Sequence, residues 1–227
     1  MDNTVIELQN IKKIYKMDGV ETHALRGVDL KIKKEEFIAI MGPSGSGKST
    51  LLHMIGTLDR PTSGKIFLDG VDTSTLKESE LARLRGKKIG IVFQFFNLHP
   101  TLNAIENIEL PMTIVEKDKR ERKQKAIELI RAVGLEHRAN HFPSQMSGGE
   151  QQRIAIARAL ANDPEIILAD ELTGNLDTKT KADIMSFLLK LQKEKKMTVT
   201  VITHEKEIAQ YAEKIVNIVD GKIKVGG

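Results

Sequence analysis

The chain has 227 residues, 40% hydrophobic and 29% charged, a mixture that folds around a sizeable core and excludes a disordered polymer. Thirty-five basic residues against 31 acidic ones leave a net charge of +4, too mild an excess to mark a nucleic-acid binder. Cysteine is absent, which rules out disulfides and thiolate chemistry. No leader and no membrane span is expected. Glu7, Lys12, Lys13 and Lys16 charge the N-terminal stretch, and the longest uncharged run, 89–105, contains Gln94, Asn97, His99, Pro100 and Asn103.

Val5–Leu8 and Val28–Ile32 alternate apolar and polar residues, which predicts short strands. Phe37–Met41 is a continuous apolar run, suited to a strand buried on both faces of a parallel sheet. A Gly-rich turn and a helix over 49–58 follow, then a strand over 65–70 that ends in a turn, and a buried strand over 89–93. From 118 to 136 the chain is densely charged, with Ala126, Ile127, Leu129, Ile130 and Val133 at helical spacing. A second helix begins at Ser147 and runs towards Ala161, where Asp163-Pro164 closes the helical region. Strands return at 166–169 and 198–203 with an amphipathic helix over 181–194 between them, and a hairpin over 215–225 turns at Asp220-Gly221. The order is sheet, helical insert, sheet. It predicts a single α/β domain over 1–227, with its core and β lobe in 1–93 and 163–227 and a helical lobe in 94–162.

Gly42-Pro43-Ser44-Gly45-Ser46-Gly47-Lys48-Ser49 has the glycines, lysine and hydroxyl of a P-loop in register, after an apolar strand and before a helix. Glycines let backbone N–H groups converge on phosphate oxygens, Lys48 adds positive charge at the β/γ-phosphates, and Ser49 offers a hydroxyl to Mg²⁺. This context predicts a nucleotide site rather than a pliable Gly/Ser turn. Asp170-Glu171 ends the strand over 166–169, at the edge where parallel α/β sheets bind ligands. Asp170 would hold Mg²⁺, and Glu171, one residue further, could accept a proton from attacking water. An acidic pair after a strand can instead be a helix cap, a reading the P-loop upstream disfavours. His204 follows another strand in the same way and is expected to sense the γ-phosphate, and Gln94 ends the strand over 89–93, where its amide can reach metal or water.

Met146-Ser147-Gly148-Gly149-Glu150-Gln151-Gln152-Arg153 resembles the signature of the ABC ATPase family. The resemblance runs along nearly the whole chain in order: Tyr15 matches the adenine-stacking aromatic, Gly42–Ser49 the Walker A loop and Gln94 the Q-loop. Ser147–Gln151 matches the signature, Asp170-Glu171 the Walker B end, Asn175-Leu176-Asp177 the D-loop and His204 the H-loop. It implies a P-loop NTPase (RecA-like) core with an N-terminal antiparallel β subdomain and an inserted α-helical subdomain. It also implies that ATP is held by Tyr15 and by Gly42, Ser44, Gly45, Ser46, Gly47, Lys48, Ser49 and Thr50, with Mg²⁺ on Ser49, Gln94 and Asp170. Lys48, Gln94, Glu171 and His204 are the implied catalytic groups. Ser147, Gly148, Gly149, Gln151 and Asp177 would meet the nucleotide of a second copy, giving an ATP-dependent head-to-tail homodimer.

The implied partner is an integral-membrane permease, the implied location the inner face of the cell membrane, and no nucleic acid is expected. The segments Met41–Leu52, Leu58–Gly64 and Thr173–Asp177 are most similar to the macrolide-exporter, lipoprotein-release and cell-division group. Members of that group drive transport or release, or, in an alternative reading, signal mechanically without transporting anything. The sequence departs from the family at Leu172 (usually Pro), Met146 (usually Leu), Glu150 (commonly Gln) and Phe95 (frequently Gln). Leu172 restores an N–H and frees φ after Glu171, which is expected to alter turnover rather than abolish it. Phe95, Phe96, Leu98 and Pro100 stand either as a permease contact or as internal packing.

Overall fold

The computed structural model describes residues 3–17, 19–115, 118–174 and 176–224. Asn175 of the expected D-loop and Val225 of the expected hairpin lie outside them. The chain forms two compact units, Met1–Leu81 with Leu191–Gly227, and Ala82–Lys190.

In the first unit, β1 (Thr4–Met17) and β2 (Val20–Lys33) pair antiparallel, and β4 (Ser63–Leu68) and β5 (Val71–Asp72) extend the sheet in the order β2-β1-β4-β5. The short alternating stretches at 5–8 and 28–32 are therefore parts of two 14-residue strands. Register shifts between Leu8 and Ile11, Ile11 and Lys12, and Lys13 and Ile14 break the period-2 pattern, because each bulge flips the faces beyond it. The second sheet element of this unit centres on β3 (Phe37–Met41), parallel to β8 (Thr198–Thr203) on one side and to β9 (Lys214–Val219) on the other. Phe37, Ile38, Ala39 and Ile40 are fully buried, as a continuous apolar run requires. β9 returns to β10 (Lys222–Lys224) through Asp220 and Gly221, both at positive φ, as a two-residue hairpin turn demands. α1 (Lys48–Ile55) follows the Gly-rich loop and stops short of the expected 58: Gly56 caps it and Thr57 takes φ 50. The short α7 (Lys206–Ala209) follows β8.

In the second unit, β6 (Ile89–Val92) lies parallel to β7 (Ile166–Asp170). α2 (Glu78–Lys88) leads in and α6 (Thr178–Lys195) leads out. α3 (Ala104–Ile114) packs on α4 (Lys119–Ala132) and α5 (Gly148–Ala159), around the fully buried Ile108, Met112, Ala126, Ile154 and Ala155. The sequence pattern does not announce α3, which contains Pro111, yet its start is well specified. Asn103 accepts the Glu106 N–H at 2.9 Å while the Glu106 carboxylate accepts the Asn103 N–H at 2.8 Å. Buried Asn107 then ties the preceding loop to the helix, accepting the His99 N–H and donating to the carbonyls of His99, Leu102 and Asn103. Among the described residues, no helix is long and apolar enough to cross a membrane.

Candidate functional site

The phosphate loop belongs to the first unit. At Gly42 a Cβ would lie 2.2 Å from the Ile218 carbonyl oxygen, and at Gly47, with φ +100, it would lie 2.6 Å from the Ala24 carbonyl oxygen. Only bare backbone fits at these two positions, so the loop bends closely between its neighbours. The Ser46 N–H donates to the Pro43 carbonyl at 3.2 Å, and the Gly221 N–H to the Ser46 carbonyl at 3.0 Å, closing the turn. Lys48, 8% exposed, reaches back to the Pro43 carbonyl at 2.9 Å. Its ammonium therefore lies over the loop, not along the helix. α1 has no side-chain cap and no acidic residue in its first turn, so its N-terminal donors and positive end are unopposed. Ser44, Gly45 and Ser49 are exposed and Thr50 is half-buried. The buried Ser46 hydroxyl has no hydrogen-bond partner among the described residues. A loop of this kind receives an anion of several phosphates. Tyr15 lies on β1 with its hydroxyl 3.2 Å from Asp59 Oδ2, and exposed His204 directly follows β8.

The second unit gathers the acidic pair, the glutamine and the signature. β7 carries Asp170 at its C-terminal end, and Glu171 follows at φ 43. The turn is held by the Gly174 N–H on the Glu171 carbonyl at 3.0 Å and by the burial of Leu172 and Thr173. Leu172 thus supplies core contact where the family's proline would supply a fixed φ. β6 ends at Val92, one residue earlier than expected, so Gln94 lies in the loop beyond it. Because β6 and β7 are parallel neighbours, the Gln94 amide comes beside the acidic turn, with Nε2 3.6 Å from where a Gly174 Cβ would stand.

Ser147 caps α5. Its hydroxyl accepts the Glu150 N–H at 3.3 Å and its own N–H reaches the Glu150 carboxylate at 2.8 Å. Gln151 turns back to the Met146 carbonyl at 3.1 Å, and the Gly149 Cα faces Thr180 closely enough that a Cβ would lie 2.9 Å from its methyl. Asp177 spends its carboxylate on the Thr180 N–H at 3.1 Å and hydroxyl at 2.6 Å, and the hydroxyl bond is the main cause of its lowered pKa. Sequence reasoning missed Arg158. Its guanidinium donates to the Phe96 and Asn97 carbonyls and so ties α5 to the loop after Gln94; burial lowers its pKa. No local pattern signals a contact across 62 positions.

Glu150 is the acidic departure within the signature. Burial raises its pKa, but the Ser147 N–H, the Arg138 guanidinium at 2.8 Å and the Ser147 hydroxyl outweigh burial and leave it below the ordinary value of 4.5. A carboxyl whose folded pKa is depressed adds stability above its unfolded pKa and loses it as pH falls through the folded one. Glu150→Gln keeps the reciprocal cap with Ser147 but removes the charge that faces Arg138, and should therefore cost about 1 kcal/mol at neutral pH, the upper end for a single ion pair. In urea titrations at several pH values, that difference should close below the ordinary carboxylate range.

Residues 25–174 match the family described as ABC transporter. The ABC transporter ATP-binding protein MJ0796 of Methanocaldococcus jannaschii is 50% identical over 224 residues, covering 97% of this chain and 95% of its own. LolD 2, a lipoprotein-releasing system ATP-binding protein of Caulobacter vibrioides, is 44% identical over 225 residues, covering 99% of both. A dimeric structure of the MJ0796 cassette in a post-hydrolysis state, bound to ADP and Pi, superposes with a TM-score of 0.90 at 48% identity over 97% of each chain. The cassette fold that the motifs implied is the one observed. The phosphate loop on one unit, the acidic turn and signature helix on the other, and relatives that align from end to end identify this chain as a member of the ABC transporter family, its ATP-binding and ATP-hydrolysing subunit.

Proposed function

We propose that two copies of the chain close head to tail around two ATP molecules, each phosphate loop completed by the partner's signature helix, and that this cycle drives a separate membrane permease. The observation that carries the reading is that one chain holds two helix N-termini built for phosphate. The start of α1 has no side-chain cap and stands behind the P-loop, and that of α5 opens with Ser147, Gly148 and Gly149. Glu150 would repel phosphate at the second, but its charge is taken up by Arg138. The MJ0796 dimer with ADP and Pi supports the arrangement. In a two-fold dimer each patch meets its complement, which suits a chain that carries both.

Within each site, the loop over 42–50 holds the phosphates and Tyr15 the adenine. Glu171 takes the proton of the attacking water, while Lys48 and His204 balance the charge that develops on the γ-phosphate. Ser147, Gly148, Gly149, Gln151 and Asp177 belong to the face that meets the partner's nucleotide. Among the described residues no group of three or more His, Cys, Asp and Glu exists to cage a metal. The donors present, the Ser49 hydroxyl, the Asp170 carboxylate and the Gln94 amide, are hard oxygens suited to Mg²⁺ that keeps water and phosphate ligands. When bound, Mg²⁺ would neutralise charge on the β- and γ-phosphates.

The lobe over 94–162 is read as the coupling lobe. Phe95, 70% exposed, is its contact with the permease, whereas Phe96 is half-buried, with its ring beside Gly148. The LolD relatives support a place on the cytoplasmic face of a membrane, beside a permease of the export or lipoprotein-release type. A subunit-mixing assay tests the shared site. Lys48→Ala and Ser147→Arg should each abolish turnover alone. Mixed in equal amounts, they should recover about a quarter of wild-type phosphate release, because half of the dimers would carry one intact composite site. A mixture as inactive as its components would refute the shared site.

A further inference from the structure

We propose that Lys13 and Asp59 are positioning residues for the nucleotide base: they lock the Tyr15 ring and cover one of its faces, so that a purine stacks on the other face alone. The inference rests on the reading of Tyr15 as the base platform. Both Lys13 and Tyr15 project from β1, while Asp59 comes from the segment after α1. The Lys13 ammonium lies 4.9 Å from the Tyr15 ring centroid and 2.6 Å from Asp59 Oδ2, and it donates to the Arg60 carbonyl at 2.8 Å. Its side chain is 13% exposed, so this is a held cation and not a solvated one.

The same Asp59 oxygen accepts the Tyr15 hydroxyl at 3.2 Å, and Oδ1 accepts the Arg60 N–H at 2.7 Å. Burial raises the Asp59 pKa, but Lys13, the Arg60 N–H and the Tyr15 hydroxyl together bring it below the ordinary value, so the carboxylate stays ionised. One carboxylate thus holds the ring by its edge, through the hydroxyl, and by its face, through the ammonium. Rotation about the ring's two side-chain torsions is restricted before any base arrives, so less ordering entropy is lost on binding. A cation on one face draws π density towards itself, which makes the opposite face a better partner for an electron-rich purine. Asp59 also ties this platform to the segment leaving α1, the helix that starts at the phosphate loop. The places for base and phosphates are therefore set by one scaffold.

The test is isothermal titration of the purified full-length chain with two probes, Mg-ADP and inorganic tripolyphosphate with Mg²⁺. Tyr15→Ala should weaken ADP most. Lys13→Met, Asp59→Asn and Tyr15→Phe should each weaken ADP by about three- to tenfold, the scale of one immobilised side chain, and leave tripolyphosphate unchanged. Lys13→Met should add nothing in the Tyr15→Ala background, because Lys13 acts through the ring. If Tyr15→Ala binds ADP as well as wild type, the base-platform reading fails and takes the inference with it. If Tyr15→Ala is impaired while Lys13→Met and Asp59→Asn bind normally, the platform stands and the positioning role is overturned. Loss of both probes in the Lys13 or Asp59 variants would mark a structural role, and a Lys13→Met effect that persists without the ring would mark direct contact with the nucleotide; each overturns the proposal.

Discussion

Glu171→Gln is expected to lower ATP turnover by about a thousandfold while ATP binding persists, which is the scale of removing a positioned general base. The substitution keeps the side chain's shape and removes its capacity to take a proton. Glu171 is placed by its backbone: it stands one residue beyond β7 at φ 43, a conformation that costs a non-glycine residue about 1 kcal/mol and persists only where its surroundings impose it. Here they do, through the Gly174 N–H on its carbonyl and the buried pair Leu172 and Thr173. With hydrolysis blocked, the ATP proposed to bridge two copies would not be consumed. Gel filtration in Mg-ATP should then show the variant at dimer mass while wild type returns to monomer. A fall in phosphate release of less than about tenfold would assign the base to another group.

Gly47→Ala should remove nucleotide binding by disrupting the loop, not by deleting a contact. Position 47 combines φ +100 with the Ala24 carbonyl oxygen 2.6 Å from where a Cβ would stand, and that neighbour is backbone that cannot swing away. We expect ATP affinity to fall by at least about a hundredfold and unfolding free energy by about 2–4 kcal/mol, the sum of left-handed strain and displaced backbone. Gly45→Ala is the internal control. It also has positive φ, at +76, but nothing lies within 4 Å of its Cβ position, so only the conformational cost of about 1 kcal/mol applies to its stability. Calorimetric titration with ADP and thermal unfolding of both variants separate the two effects.

The parts of the site that were legible in the sequence are those whose chemistry is contiguous. A phosphate needs several N–H groups within a few ångströms, and a short glycine-bearing segment opening a helix delivers them; Gly42–Ser49 and Ser147–Gly149 are therefore readable as contiguous segments. Strand ends are readable for a similar reason. The apolar runs 37–41 and 166–169 and the β-branched run 198–203 announce buried strands, and the polar residue that follows each is thereby a candidate for a binding edge. The long β1–β2 pair was legible only in pieces, because its bulges reset the alternation, and α3 was hidden by an interior proline and a nearly uncharged sequence.

Residue chemistry and chain order were thus sufficient for the family and the ATPase activity. Sequence reasoning did not anticipate the partners that hold those groups in place. Lys13 and Tyr15 meet Asp59 more than forty positions away, Arg158 clamps carbonyls 61 and 62 positions before it, and Gln94 reaches the turn at Gly174. Each of these depends on which strands lie side by side and on which way a bulge turns a side chain. Those are outcomes of packing the whole chain, in which a contact's sequence separation carries no local signal. Tertiary structure alone decided that Glu150 would be neutralised by Arg138, leaving the start of α5 compatible with phosphate, because the two residues are brought together only when the helix caps and the loop before it are folded.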